Sequence, residues 1–195
     1  MGAVLGLRRG EVLGLTIGAF NYDKRTLRIS TTLIKDSANG GEIFSTPKTS
    51  KSKRLLLLDA YMCEIIQDHI KWIEKSRLIY GDEFNEYNLL CINQEGQYIK
   101  PDALTKKFKQ AIRALDLDDK IRLHDLRHYV ATRLFNDGVE TKTVSGLLGH
   151  STTFFTEDTY IEFNVDGQEQ VTEVLTKRLK NSKFRSRYKE HLSLE

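Results

Sequence analysis

The stretch HDLRHYVATRLFNDGVETKTVSGLLGHS, residues 124–151, decides the reading of the fold. Leu126, Val130 and Leu134 recur at helical spacing, and the run stops at Gly138. Val144, Leu147 and Leu148 form a second stripe, stopped by Gly149. Two helices are therefore predicted, each with one apolar face and a glycine at its end. His150 falls just beyond the second. Upstream, Pro101-Asp102 reads as a helix start, followed by Leu104, Phe108, Ala111, Ile112 and Leu115. Met62, Ile65, Ile66, Ile70 and Ile73 share another helical face, running from Asp59 to near Gly81. Further toward the N-terminus the period changes. Thr26 to Thr32 is β-branched and alternating, a strand signal. Glu42 to Thr46 and Arg54 to Leu58 read as strands that pair, with Pro47 to Lys53 as the polar loop between them. Leu89 to Ile92 and Tyr98 to Ile99 flank Glu95-Gly96 as a short hairpin, and Leu7 to Leu15 reads as a short helix. Downstream, Val171, Val174, Leu175 and Leu179 line a last helix. The expected class is α+β, mostly helical with a small antiparallel sheet, rather than a repeating βαβ unit.

The 195 residues suit one domain, or one domain with a tail, and can bury a core without disulfides. Hydrophobic residues make up 39% and charged residues 29%, with 2 Pro, which argues against disordered and collagen-like classes. No apolar run approaches the roughly 18 residues of a membrane helix. The N-terminus has no basic region before its apolar stretch, so it does not read as a signal peptide. Cys63 and Cys91 fit reduced thiols better than a disulfide framework. The expected location is the cytoplasm, with no membrane partner.

Net charge is +3, from 30 Lys and Arg against 27 Asp and Glu. This permits an anionic partner without demanding one. Lys48, Lys51, Lys53 and Arg54 cluster, and seven Lys or Arg lie between Thr176 and Lys189 with no Asp or Glu. Such runs are usually solvated surface.

The densest polar constellation is His124-Asp125-Leu126-Arg127-His128. On a helix, positions 124, 127 and 128 share a face. A zinc-peptidase reading would take His124 and His128 as ligands, but that pattern needs Glu at the second position, and no third ligand is evident. An anion-binding reading takes His124 and Arg127 as paired donors. Gly6-Leu7-Arg8-Arg9-Gly10-Glu11 places two arginines and a glutamate in a tight segment. Thr46-Pro47-Lys48-Thr49 puts a lysine at a hairpin tip, and Asp158-Thr159-Tyr160 brings a tyrosine ten residues after His150. Each motif alone is weak.

In order, GLRRGE, TPKT, HDLRH, LLGHS and DTY closely resemble the catalytic domain of the tyrosine recombinases, the phage-integrase family. The resemblance runs from Leu5 to about Phe163. It implies that Arg8 is the first catalytic arginine and Lys48 the hairpin lysine. His124 and Arg127 match the His-x-x-Arg pair, His150 the Leu-Gly-His histidine, and Tyr160 the nucleophile. Glu11 matches an acidic position that buttresses the first arginine. Lys51, Lys53 and Arg54 are candidates for contacts with DNA phosphates.

The implied reaction is strand transesterification on double-stranded DNA. Tyr160 attacks the phosphorus, a 3′-phosphotyrosine forms, and the 5′-oxygen leaves. A phenol near pKa 10 needs a proton acceptor, and an alkoxide leaving group needs an acid. Fixed guanidiniums stabilise the charge on the non-bridging oxygens, so no metal and no cofactor is expected.

Family domains open with further helices and a DNA-clamping domain before the first arginine, whereas seven residues precede Arg8. The expectation is a catalytic domain over residues 1–165 lacking those parts, then a C-terminal helix and basic tail over 166–195. Apolar surface near Leu5, Val12 and Leu13 is then expected to be bare. The C-terminal segment, and Phe154 and Phe155 before the tyrosine, are candidates either to pack on the chain's own body or to dock on a neighbour in a dimer or tetramer on DNA. Competing readings are a catalytically idle DNA-binding fragment, a metallohydrolase built on His124 and His128, and a plain interaction module.

Overall fold

The computed structural model describes residues 2–36, 41–46 and 53–149. Lys48, Lys51, His150, Phe154, Phe155, Tyr160 and the predicted helix around Val171 to Leu179 lie outside the described residues.

The described chain is α+β. Two short helices, α1 (Gly2–Leu5) and α2 (Arg9–Leu13), precede a 3₁₀ turn at Ile17–Ala19. Five short strands follow: β1 (Phe20–Asn21), β2 (Thr26–Ile29), β3 (Thr32–Lys35), β4 (Glu42–Ser45) and β5 (Arg54–Leu57). The rest is helical: α3 (Ala60–Tyr80), α4 (Pro101–Ala114), α5 (Asp125–Asn136) and α6 (Thr141–Leu148).

The predicted pairing of the Glu42 and Arg54 strands is not what forms. The strand predicted over Thr26 to Thr32 breaks at Ser30-Thr31 into β2 and β3, which enter different sheets. β2 pairs antiparallel with β1 and β5, and β3 pairs antiparallel with β4. Burial explains the choice. Leu27 stands opposite Leu56, and both are fully buried, as is Ile29. β4 carries no buried residue, and Ile43 is exposed, so it suits a two-stranded ribbon at the periphery.

α3 begins at Asp59, whose carboxylate accepts from Met62 N at 2.8 Å and caps the first turn. Its buried stripe is Met62, Cys63, Ile66, Ile70 and Ile73, so Cys63 takes the place predicted for Ile65. α4 is less covered than its spacing suggests: only Pro101 and Ile112 are buried, and Leu115 is exposed. Glu95-Gly96 does sit in a turn, closed by the bond from Asn93 N to Gln97 O at 2.9 Å. The flanking segments join through one bridge, Ile92 with Tyr98, rather than a hairpin.

One core runs through the body. Leu27, Ile29 and Leu56 from the sheet, with Leu58 just past β5, meet Met62, Ile66 and Ile70 of α3. Val130 and Leu134 of α5 join it with Val144, Leu147 and Leu148 of α6. Leu5 and Leu13 are each 1% exposed, against the expectation of a bare N-terminal surface. α1 packs on α5 and α2 on β3, and these contacts close over both leucines; Val12 is half-buried. Among the described residues no helix is long and apolar enough to cross a membrane. Both cysteines are free.

Candidate active site

The site forms where the C-terminus of α6 meets the start of α2 and the first residue of β5. An α-helix leaves its last carbonyls without partners inside the helix. Here three guanidiniums take three consecutive carbonyls. Arg54 Nε donates to Leu147 O at 2.6 Å, Arg127 Nη2 donates to Leu148 O, and Arg8 Nη2 donates to Gly149 O at 2.8 Å. Cations at this end also oppose the negative pole of the helix dipole.

Gly149 permits the arrangement. Its φ of +63° is left-handed, and a Cβ there would lie 2.9 Å from Arg54 Nη1. Gly6 plays the matching part on the other side. Its φ is also +63°, a Cβ would meet Leu148 Cδ2 at 2.6 Å, and its carbonyl accepts from Arg127 Nη1 at 2.8 Å. Arg127 therefore bridges the α1–α2 junction to the end of α6.

Among the described residues Glu11 is the single carboxylate in this cluster, and it is 3% exposed. It accepts from Arg8 N at 2.8 Å and Arg8 Nη1 at 2.9 Å. It also accepts both ends of the Arg54 fork, Nη1 at 2.9 Å and Nη2 at 3.0 Å. Burial pushes the Glu11 carboxyl up, but the bonds and charge of Arg54, with those of Arg8, outweigh it and hold it below the usual range. Glu11 is thus ionised at neutral pH. Among the described residues, three guanidiniums stand against one carboxylate here, an excess of two positive charges.

The arginines differ in exposure. Arg127 is 3% exposed, and the Arg54 side chain 7%, whereas 37% of the Arg8 side chain reaches solvent. Burial pulls Arg127 down to about 10, helped by Arg8 and Arg54 and opposed by Glu11, so it stays charged at neutral pH.

His124 stands at the N-cap of α5 and is exposed. Its ring meets His128 edge-on, with centroids 4.9 Å apart. Partial desolvation lowers its proton affinity, and His128 and Arg127 lower it further against Asp125. A largely neutral imidazole results near pH 7, able to accept a proton. The three residues differ in exposure: Arg127 is buried, while His124 and His128 are exposed. Among the described residues no group of three or more His, Cys, Asp or Glu comes together in a way that could hold a metal.

Arg8, Glu11 and Arg127 are therefore brought together. Lys53 is exposed at the foot of β5. Arg54 was expected to contact DNA phosphates, and its position corrects that reading: the guanidinium points inward and is held by Glu11 and Leu147 O. A signal for this existed in the sequence. Strand period places Arg54 on the same face as the buried Leu56 and Leu58.

The model of the phage integrase family matches residues 3–166. A XerC-like tyrosine recombinase of Caldanaerobacter subterraneus is 30% identical over 165 residues, covering 80% of this chain and 42% of the relative. The ICEBs1 integrase of Bacillus subtilis is 25% identical, covering 87% of this chain and 45% of its own. The chain thus spans less than half the length of these curated relatives. Among solved structures, the Tn1549 transposon integrase in complex with transposon right end DNA superposes with a TM-score of 0.65 at 22% identity. That match covers 90% of this chain and 56% of the integrase. The XerH site-specific recombinase bound to difH substrate gives 0.54 at 25% identity, covering 77% and 38%.

Proposed function

The chain belongs to the phage integrase family, and from that premise we propose that it cleaves and rejoins double-stranded DNA strands through a 3′-phosphotyrosine at Tyr160. The observation that carries the reading is the convergence of Arg8 and Arg127 beside one buried carboxylate, with positive charge in excess. A phosphoryl group in an in-line displacement gathers negative charge on its non-bridging oxygens. Guanidinium forks held in place beforehand stabilise that charge without reorganising during the step.

Each residue has a proposed role. The Tyr160 oxygen attacks phosphorus and its proton leaves, with His124 as the neutral acceptor. Arg8 and Arg127 bind the non-bridging oxygens, and His150 adds a hydrogen bond. Lys48 protonates the departing 5′-oxygen. A 5′-hydroxyl of a partner strand then attacks the phosphotyrosine and releases Tyr160. The covalent link keeps the bond energy, so the exchange needs no nucleotide cofactor. Lys51 and Lys53 are proposed to meet phosphates and so to position DNA without reading its sequence.

Residues 1–165 are proposed as the catalytic domain, with 166–195 as a helix and basic tail that docks on a neighbouring protomer in a dimer or tetramer on DNA. A cytoplasmic mobile-element or phage integrase fits this set of properties.

The test incubates the chain and a Tyr160→Phe variant with nicked suicide duplexes carrying randomised sites, with and without chelator. A denaturation-resistant adduct that is absent from the variant and insensitive to chelator supports the reading. DNA binding without an adduct supports an idle DNA-binding fragment instead, and loss of activity with chelator supports a metallohydrolase.

A further inference from the structure

Arg54 has no part in the chemistry proposed above, yet it is the most completely engaged cation in the cluster. Its side chain is 7% exposed, and all three of its guanidinium nitrogens donate: Nε to Leu147 O, Nη1 and Nη2 to the two oxygens of Glu11. Glu11 in turn holds both the backbone and the fork of Arg8. The Leu147 carbonyl belongs to the helix end whose next two carbonyls bind Arg127 and Arg8. Arg54 also opens β5, the strand that follows the Lys48 segment.

We infer that Arg54 is a positioning residue for DNA cleavage, which fixes the Arg8 fork against the end of α6 by gripping Glu11 and the Leu147 carbonyl together. The inference deepens the recombinase reading and rests on it. Lysine cannot replace it, because one ammonium cannot span two carboxylate oxygens and a carbonyl in that planar geometry. Loss of the fork leaves Glu11 with one arginine in a buried place, so its carboxyl should take up a proton at higher pH than in the wild type. A protonated Glu11 no longer holds Arg8 as a charged acceptor.

The experiment compares the full chain with its Arg54→Lys and Arg54→Met variants. It records thermal unfolding, DNA affinity, the pH profile of adduct formation, carbon NMR titration of Glu11, and hydrogen exchange at the Gly149 amide. That amide bonds to Ser145 O at 2.9 Å in the last turn of α6. Arg54→Lys should remain folded and bind DNA as the wild type does, while forming adduct about a hundredfold more slowly, the scale of an ångström-level misplacement. Arg54→Met should show a rate that rises with pH as Glu11 ionises, a limb missing from the wild type. Both variants should exchange faster at Gly149. Adduct rates that fall only with the folded fraction, with unchanged Gly149 exchange and Glu11 titration, would overturn the inference. If the wild type itself forms no adduct, the recombinase reading fails. The exchange and titration then decide separately whether Arg54 holds Glu11 and the helix end.

Discussion

Replacing Glu11 by glutamine removes the one carboxylate among three guanidiniums while keeping its shape. Two interactions are lost. The Arg8 pair is partly open to water, with 37% of that side chain exposed, so its own share is about 0–1 kcal/mol. The Arg54 pair is shut away, at 7% and 4% exposed, and breaking one side of such a pair costs about 3–5 kcal/mol. Glutamine keeps one acceptor oxygen but turns an NH₂ toward a guanidinium, so about 3 kcal/mol is the expected loss. For a chain of this size that lowers Tm by about 6–12 °C. The pH dependence gives a second handle. The folded Glu11 carboxyl lies below its ordinary value, so its contribution is complete above the unfolded pKa and fades as pH falls through the folded one. Urea unfolding of both proteins should therefore show the full gap near neutrality, closing in acid below the usual carboxylate range. A gap under about 0.5 kcal/mol at neutral pH, or one that does not close in acid, would refute this account of the cluster.

Three further outcomes follow from the same geometry. Gly149→Ala places a Cβ in left-handed backbone against Arg54 Nη1 and should cost about 1–2 kcal/mol in thermal or chemical unfolding; an unchanged Tm would contradict the close approach. Arg127→Lys cannot reach both Gly6 O and Leu148 O, so one buried carbonyl loses its donor, at about 1–3 kcal/mol by urea denaturation, and adduct formation should drop while DNA binding persists. Cys63 is buried, with its thiol pushed up to about 11 by desolvation and then by Asp59, so in the native chain it should resist thiol reagents near neutral pH and react once urea unfolds it; rapid native labelling would count against its burial.

Local order was readable where one segment carries its own pattern. α3 follows from a four-residue rhythm of Met and Ile behind Asp59, and α6 from three apolar residues ahead of Gly149. Strand partners were not readable. Leu27 facing Leu56 depends on how the intervening ribbon folds back, which no local spacing encodes. Leu5 and Leu13 were misjudged for a similar reason, because the helices and strands that cover them come from distant parts of the chain. At the site, the motifs named Arg8, Glu11 and Arg127 and paired Glu11 with Arg8, but gave neither the Arg54 fork on Glu11 nor the carbonyls that hold the arginines. The acceptors of Arg127 are carbonyls 121 and 21 positions away, and carbonyls have no residue signature. Arg54 was masked by the lysines before it, since a basic run suggests solvent, although its phase with Leu56 pointed to the interior.

The most direct test of the central claim is a peptide map of the protein–DNA adduct after exhaustive nuclease and protease digestion. The account predicts that the remaining nucleotide mass sits on the peptide containing Tyr160, attached through a 3′-phosphate. It also predicts that Arg127→Lys greatly reduces the yield without moving the attachment. Nucleotide mass on any other residue, or a 5′-phosphate linkage, would contradict it.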